Sequence, residues 1–186
     1  MTSASSRTAD PAVLPLRLLG DPVLRAKAAP VEVFDDALER FAEELIAAMY
    51  AHKGVGLAAP QVGRSTRVIA VDAGELRDGS EAFALVNPRI VQTEGRVASE
   101  EGCLSIPGIT ADVERSARVV VEGLTPRGEP RRVEGAELLA RVLQHEIDHL
   151  DGILFVDRLG PLRRRMALRA YRRQQEEGAS ETGSRL

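Results

Sequence analysis

The stretch between Gly135 and Gly152 constrains the fold of this chain more than any other, because the helix it predicts has to lie inside the protein. Leu138, Val142, His145 and His149 repeat on one stripe, and Leu139, Leu143, Glu146 and Leu150 repeat on the next. A helix apolar over so wide an arc is wrapped by other elements. Gly152 stands where its C-terminus calls for a left-handed residue. The two imidazoles are thereby carried against the interior, where an unpartnered ring costs about 1 to 3 kcal/mol. Each needs either a buried hydrogen bond or a metal ion.

His145 and His149, four positions apart, share a helix face and can reach one divalent ion. Glu146 lies about 100° round the helix, near enough to handle the proton of a water. The pattern His-Glu-x-x-His occurs by chance in many proteins, and two imidazoles do not complete a coordination shell. In the common zinc peptidases the third ligand follows the helix, yet no histidine follows His149 here. Upstream, Glu101-Gly102-Cys103-Leu104-Ser105 sets the sole cysteine in a glycine-adjacent turn at a strand edge. Cys103 admits three readings: a third ligand that leaves the fourth position open to water, a small buried hydrophobe, or a nucleophile paired with a histidine. A further constellation is Gly54-Val55-Gly56-Leu57-Ala58-Ala59-Pro60-Gln61. Its glycines let a backbone run close to another chain, and the Gln61 amide can donate to an oxyanion. It lacks the lysine and hydroxyl residue of a phosphate loop.

The rest of the chain supplies the wrapping. Asp35 or Asp36 caps a helix whose apolar positions are Leu38, Phe41, Leu45, Ala48 and Met49, ending before Gly54. Strands are expected at 67–72, at 83–91 with a break at Asn87-Pro88, at 118–124, and at 131–133 after the turn Pro126-Arg127-Gly128. Helices before and after mostly antiparallel strands predict an α+β fold, with the sheets packed around a central metal-binding helix and flanked by an N-terminal and a C-terminal helix. At 186 residues the chain fits one domain. Residues 1–12 are expected to be a disordered extension, 13–175 a single catalytic domain, and 176–186 a disordered tail. The C-terminal helix, over about 161–175, has Pro161 in its first turn and is expected to pack through Leu162, Met166 and Ala170. From Arg158 to Arg173 it gathers seven arginines and no acid, within a chain of net charge −3. Such a face can meet nucleic acid or simply be solvated. A single cysteine allows no intrachain disulfide and suits a reducing compartment. Nothing approaches the ~18 to 20 apolar residues of a membrane span, and no secretory signal pattern opens the sequence. A cytoplasmic protein is expected.

Taken together, Gly54 to Gln61, Glu101 to Ser105 and His145 to His149, in this order and spacing, resemble the three signature motifs of the peptide deformylases. The similarity runs from about Leu18 to Arg173, through Gly20-Asp21-Pro22-Val23-Leu24-Arg25, Leu85-Val86-Asn87-Pro88 and Leu154-Phe155-Val156-Asp157-Arg158-Leu159. It is nearest to the bacterial type I group. The resemblance implies a cytoplasmic metalloenzyme that removes formate from the N-formyl-methionine of nascent peptides. It implies that Cys103, His145 and His149 bind the metal, that Glu146 acts as general base and then acid, and that Gln61 and the backbone N–H of Leu104 form the oxyanion hole. In that family the ion is usually Fe2+, with Zn2+, Ni2+ or Co2+ able to substitute. Val55 and Gly56 are expected to pair with an extended peptide, while Val55, Leu138, Val142, the face of His145 and the stem of Arg141 receive the methionine side chain. Type I relatives dock a basic C-terminal helix on the ribosome, which would make Arg163 to Arg173 a partner surface. Neither a membrane nor a sequence-specific nucleic acid is expected as a partner. Two positions depart from the pattern: Pro60 stands at a variable place, and Thr110 replaces an arginine that some relatives hold near the peptide.

Overall fold

The structure, a computed structural model, describes residues 13–72 and 82–183, with side chains as far as 178. The extension expected at residues 1–12 lies outside the described residues. The chain runs through α1 (Asp36–Ala51), β1 (Gly56–Ala58), β2 (Val68–Val71), β3 (Phe83–Glu94), β4 (Val97–Cys103), β5 (Ile106–Arg115), β6 (Arg118–Leu124), β7 (Pro130–Ala136), α2 (Glu137–Leu150) and α3 (Pro161–Gly183). Five strands form one antiparallel sheet in the order β1-β2-β3-β6-β7, and β4 and β5 form a separate hairpin. The fold is α+β.

The sheet is covered on both faces, and β2 shows how. Val68 and Ala70 pack with Phe41, Leu45 and Met49 of α1, whereas Ile69 and Val71 pack with Leu139, Leu143 and Ile147 of α2. Side chains alternate along a strand, so a strand buried on both sides reads as an unbroken apolar run. At the start of α1 the Asp35 carboxylate accepts from the backbone N–H of Ala37 and Leu38 at 3.1 and 3.0 Å, which satisfies two donors the helix leaves open. From Leu139 to Leu150 every residue of α2 except Arg141 is buried. Gly152 follows with φ of 73°, and a Cβ there would lie 2.5 Å from the Arg25 carbonyl oxygen. Only glycine both adopts that backbone and fits against the passing chain.

Three expectations need correction. The strand from Phe83 does not break at Asn87-Pro88 but continues to Glu94. The ladder absorbs the proline through a register shift between Val86 and Arg89, and the Asn87 side chain exchanges hydrogen bonds with Val31 N–H and C=O at 2.8 and 2.9 Å. The last helix runs to Gly183, well past 175, so residues 176–183 are helical rather than a disordered tail. Its packing face is also rotated from the one expected. Ala167, Leu168 and the buried ring of Tyr171 meet Ile106, Leu154 and Phe155, while Leu162 and Met166 are 61% and 63% exposed and Ala170 is exposed. A tyrosine buries far more area than an alanine, so its ring decides which face turns inward. Near the end of this contact, the Gln174 amide occupies the space beside Gly108, where a Cβ would meet it at 2.6 Å. No helix among the described residues is long and apolar enough to cross a membrane.

Candidate metal centre

Cys103 is the last residue of β4, at a register shift that follows Gly102, and the turn through Leu104 and Ser105 leads back to Ile106. That turn brings the thiol over α2. The ligand atoms of Cys103, His145 and His149 all lie within 4.8 Å of one another. The Cys103 sulfur is 3.3 Å from His149 Nε2, and the two imidazoles meet edge to face with centroids 5.0 Å apart. His145 is 9% and His149 1% exposed. The three residues singled out for a metal are therefore brought together, and the donor set suits a divalent ion. Burial, helped by the positive charges of His145, Arg115 and Arg25, holds His149 well below the ordinary histidine range, so it is a neutral donor with a lone pair to offer. His145 Nδ1 is 3.1 Å from a Glu101 carboxylate oxygen, which leaves Nε2 for an ion.

Behind His145 runs a chain of charge, buried except at its far end, Arg158. Glu101 receives the Arg115 guanidinium through Nε and Nη2 at 2.8 and 3.0 Å. Arg115 also donates to Asp148, and Asp148 is gripped in turn by Arg158. Burial alone would raise the Glu101 carboxyl, but the hydrogen bonds from His145 and Arg115 outweigh it and set its pKa at about 2. Glu101 was legible only as part of a motif, and Arg115, Asp148 and Arg158 were not singled out. An arginine at a strand end carries no periodic signal of burial.

On the opposite side the site meets a cleft of about 570 Å³. Gln61, buried in the 3-10 turn Ala59–Val62, accepts from Ala58 N–H at 2.8 Å and donates to the Ser105 hydroxyl at 3.2 Å. Its amide nitrogen also lies 3.6 Å from the Cys103 sulfur. Ser105 thus orients Gln61, a role with no separate signal in the sequence. Glu146 is buried, one of its carboxylate oxygens has no hydrogen-bond partner among the described residues, and burial pushes its pKa up to about 7 against the opposing pull of His145 and Arg115. At Gly56 a Cβ would come within 2.4 Å of Glu146 Oε1 and 2.7 Å of Val142 Cγ1. This glycine is needed for close approach of β1 to α2, not for a turn. Val55, Gly56, Leu138, Arg141, Val142 and Leu104 all line the cleft.

Structural metal sites close all four positions with protein donors, whereas catalytic ones keep one open. Three donors beside a cleft are of the open kind, and with a buried carboxyl of raised pKa alongside they fit the class of metal-dependent hydrolases. Residues 13–165 match the model of the polypeptide deformylase family. A peptide deformylase of Acidothermus cellulolyticus is 48% identical over 167 residues, covering 90% of this chain and 90% of the relative. The crystal structure of a peptide deformylase from Legionella pneumophila has a TM-score of 0.83 at 43% identity, over 90% of this chain and 98% of that one. That of the Synechococcus elongatus enzyme in complex with actinonin has a TM-score of 0.80 at 43% identity, over 87% of this chain and 89% of that one. The chain belongs to the polypeptide deformylase family. It is a hydrolase that removes the formyl group from N-formyl-methionine at the start of nascent polypeptides, releasing formate.

Proposed function

We propose that Cys103, His145 and His149 hold one divalent ion, Fe2+ in the cell with Zn2+, Ni2+ or Co2+ able to replace it, and that deformylation takes place on the cleft side of these ligands. The observation that carries the reading is the convergence of three ligand atoms within 4.8 Å beside a buried carboxyl oxygen with no partner among the described residues. When bound, the ion supplies Lewis acidity and lowers the pKa of a water from 15.7 towards about 7. Glu146, with its carboxyl near 7, accepts a proton and later delivers it to the departing amine nitrogen. Gln61, held by Ala58 and Ser105, and the backbone N–H of Leu104, just past the end of β4, donate to the formyl oxygen as it gains negative charge. Val55 and Gly56 pair with the extended peptide, and the methionine side chain lies against Leu138, Val142 and the stem of Arg141.

The catalytic domain begins near residue 13 and includes α3, and the enzyme works in the cytoplasm. α3 docks on the ribosome, a reading supported by Arg163, Arg165 and Arg169, which form no ion pair among the described residues and flank the exposed Leu162 and Met166. Formate release from formyl-Met-Ala-Ser, measured on protein purified without oxygen and analysed for metal, tests the chemistry. Activity tracking iron content is the expected result, and absence of formate from fully loaded protein would end the reading. For the partner surface, replacing Arg163, Arg165 and Arg169 by glutamate should abolish co-sedimentation with ribosomes while formate release is compared in parallel.

A further inference from the structure

The cleft wall carries charge that removal of a formyl group does not use. Lys53, in the turn between α1 and β1, and Arg141, one turn of α2 before His145, both line the cleft, and neither side chain forms an ion pair or a hydrogen bond among the described residues. Arginines of the strands and their turns behave differently: Arg89, Arg96, Arg127 and Arg132 each hold a carboxylate at 2.7, 2.7, 3.0 and 3.1 Å. Lys53 also sits at φ of 59°, a left-handed backbone that asparagine or glycine adopts more readily than lysine. That backbone is fixed by bonds from Lys53 N–H to the Tyr50 carbonyl and from Gly54 N–H to the Met49 carbonyl, each 2.9 Å.

The opposite bank is negative. Glu100 on β4 is exposed, and its carboxylate accepts from the Thr110 hydroxyl at 3.2 Å across the hairpin. The other acids of the cleft are committed, Glu101 to Arg115 and His145, and Glu146 to proton transfer. Because Gly56 lets β1 close on Val142 and Glu146, β1 and α2 form one continuous wall with Lys53 at its outer end and Arg141 along it. A peptide paired with β1 is extended, so its side chains alternate: the second residue turns away and the third returns to the face of the methionine. That face is the positive wall.

We infer that Lys53 and Arg141 make the enzyme selective for nascent chains by charge, favouring an acidic over a basic side chain at the third position. The inference rests on the deformylase reading above and extends it to a part of the substrate remote from the formyl group. Charges on a rim act chiefly on encounter and on its salt dependence, so the effect belongs in kcat/KM at low ionic strength.

The test uses the metal-loaded, full-length enzyme and three amidated peptides, formyl-Met-Ala-Glu, formyl-Met-Ala-Gln and formyl-Met-Ala-Lys, with formate as the readout. At about 20 mM salt the glutamate peptide should exceed the lysine peptide by at least about threefold in kcat/KM, and the ratio should fall towards one at about 500 mM. Lys53→Asn, which keeps a residue tolerant of the left-handed backbone, and Arg141→Gln should each lower the ratio, and together bring it to about one. Each ratio is taken within one protein, so altered folding or metal content cancels. Equal rates for the three peptides, a preference for lysine, or a ratio untouched by the double substitution would overturn the selection alone. No formate from any of the three peptides would overturn the deformylase reading and the selection with it.

Discussion

The two sides of the histidine pair are built on opposite plans. Behind His145, buried Glu101, Arg115 and Asp148 form a chain of hydrogen bonds, ending on the exposed Arg158, in which each buried charge meets its opposite. In front, a Glu146 oxygen is buried without a partner among the described residues, while the Gln61 amide nitrogen is held between the Ser105 hydroxyl and the Cys103 sulfur. Unmet hydrogen-bonding capacity costs stability, and here it faces the cleft, where a substrate can satisfy it. On the proposed reading the difference separates two tasks: satisfied charges would hold the metal ligands in place, and the unpartnered carboxyl oxygen would be left for the reaction. Substitutions on the front should therefore change turnover more than stability, and substitutions behind should do the reverse.

The sharpest break of this division is Glu146→Gln, which should lower formate release by about 10² to 10⁴ while metal content and the urea midpoint stay close to the parent's. A loss under tenfold would place proton transfer elsewhere. Next is Gln61→Ala, expected to fold, keep its metal and lose about 10² to 10³ in turnover, the usual effect of one oxyanion donor; near-normal turnover would remove Gln61 from the mechanism. Behind the histidines, Arg115→Met leaves Glu101 and Asp148 without their shared cation. Denaturant titration should show a loss of about 3 to 5 kcal/mol, and chelator competition a metal affinity about 10- to 100-fold weaker. If turnover per bound metal fell as steeply as for Glu146→Gln, the two sides would not be separate.

The smallest effect lies further out, where Arg25 pairs with Asp157. Burial alone would raise the Asp157 carboxyl, but Arg25, the Leu154 N–H and Arg164 outweigh it and lower its pKa. A carboxyl lowered in the folded state adds stability above its unfolded pKa and loses it as pH falls through the folded value. The stability gap between the parent and Arg25→Ala should therefore be at most about 1 kcal/mol at pH 7 and shrink as pH falls below the ordinary carboxylate value of about 3.9. A gap that widens with acid would contradict the sign.

Much of the front side was legible in the sequence and little of the back. His145 and His149 announced themselves by helical spacing among leucines, and Cys103 by being the sole thiol beside a glycine. Glu101 and Arg115 are joined only by the β4–β5 hairpin, whose first strand is mostly exposed and lacks the apolar alternation that marks β2. Without that hairpin in view, Arg115 looks like one more surface arginine. The rotation of α3 was hidden for a related reason: Leu162 and Met166 have helical spacing, but Tyr171 outweighs them, and no local pattern ranks one apolar residue above another. The Asn87-Pro88 pair misled because a proline usually ends a strand, whereas here the ladder steps past it by a register shift while the asparagine side chain ties the strand to Val31.

The contact of Gln174 with Gly108 gives the last helix a mechanical role. Gly108 lines the cleft, has φ of 77°, and leaves no room for a side chain beneath the Gln174 amide. The helix that carries the outward arginines is therefore also a brace for the cleft wall, and a force applied to that helix would be felt along the cleft. A chain cut before residue 174 would lose that brace even with every ligand and acid–base group intact.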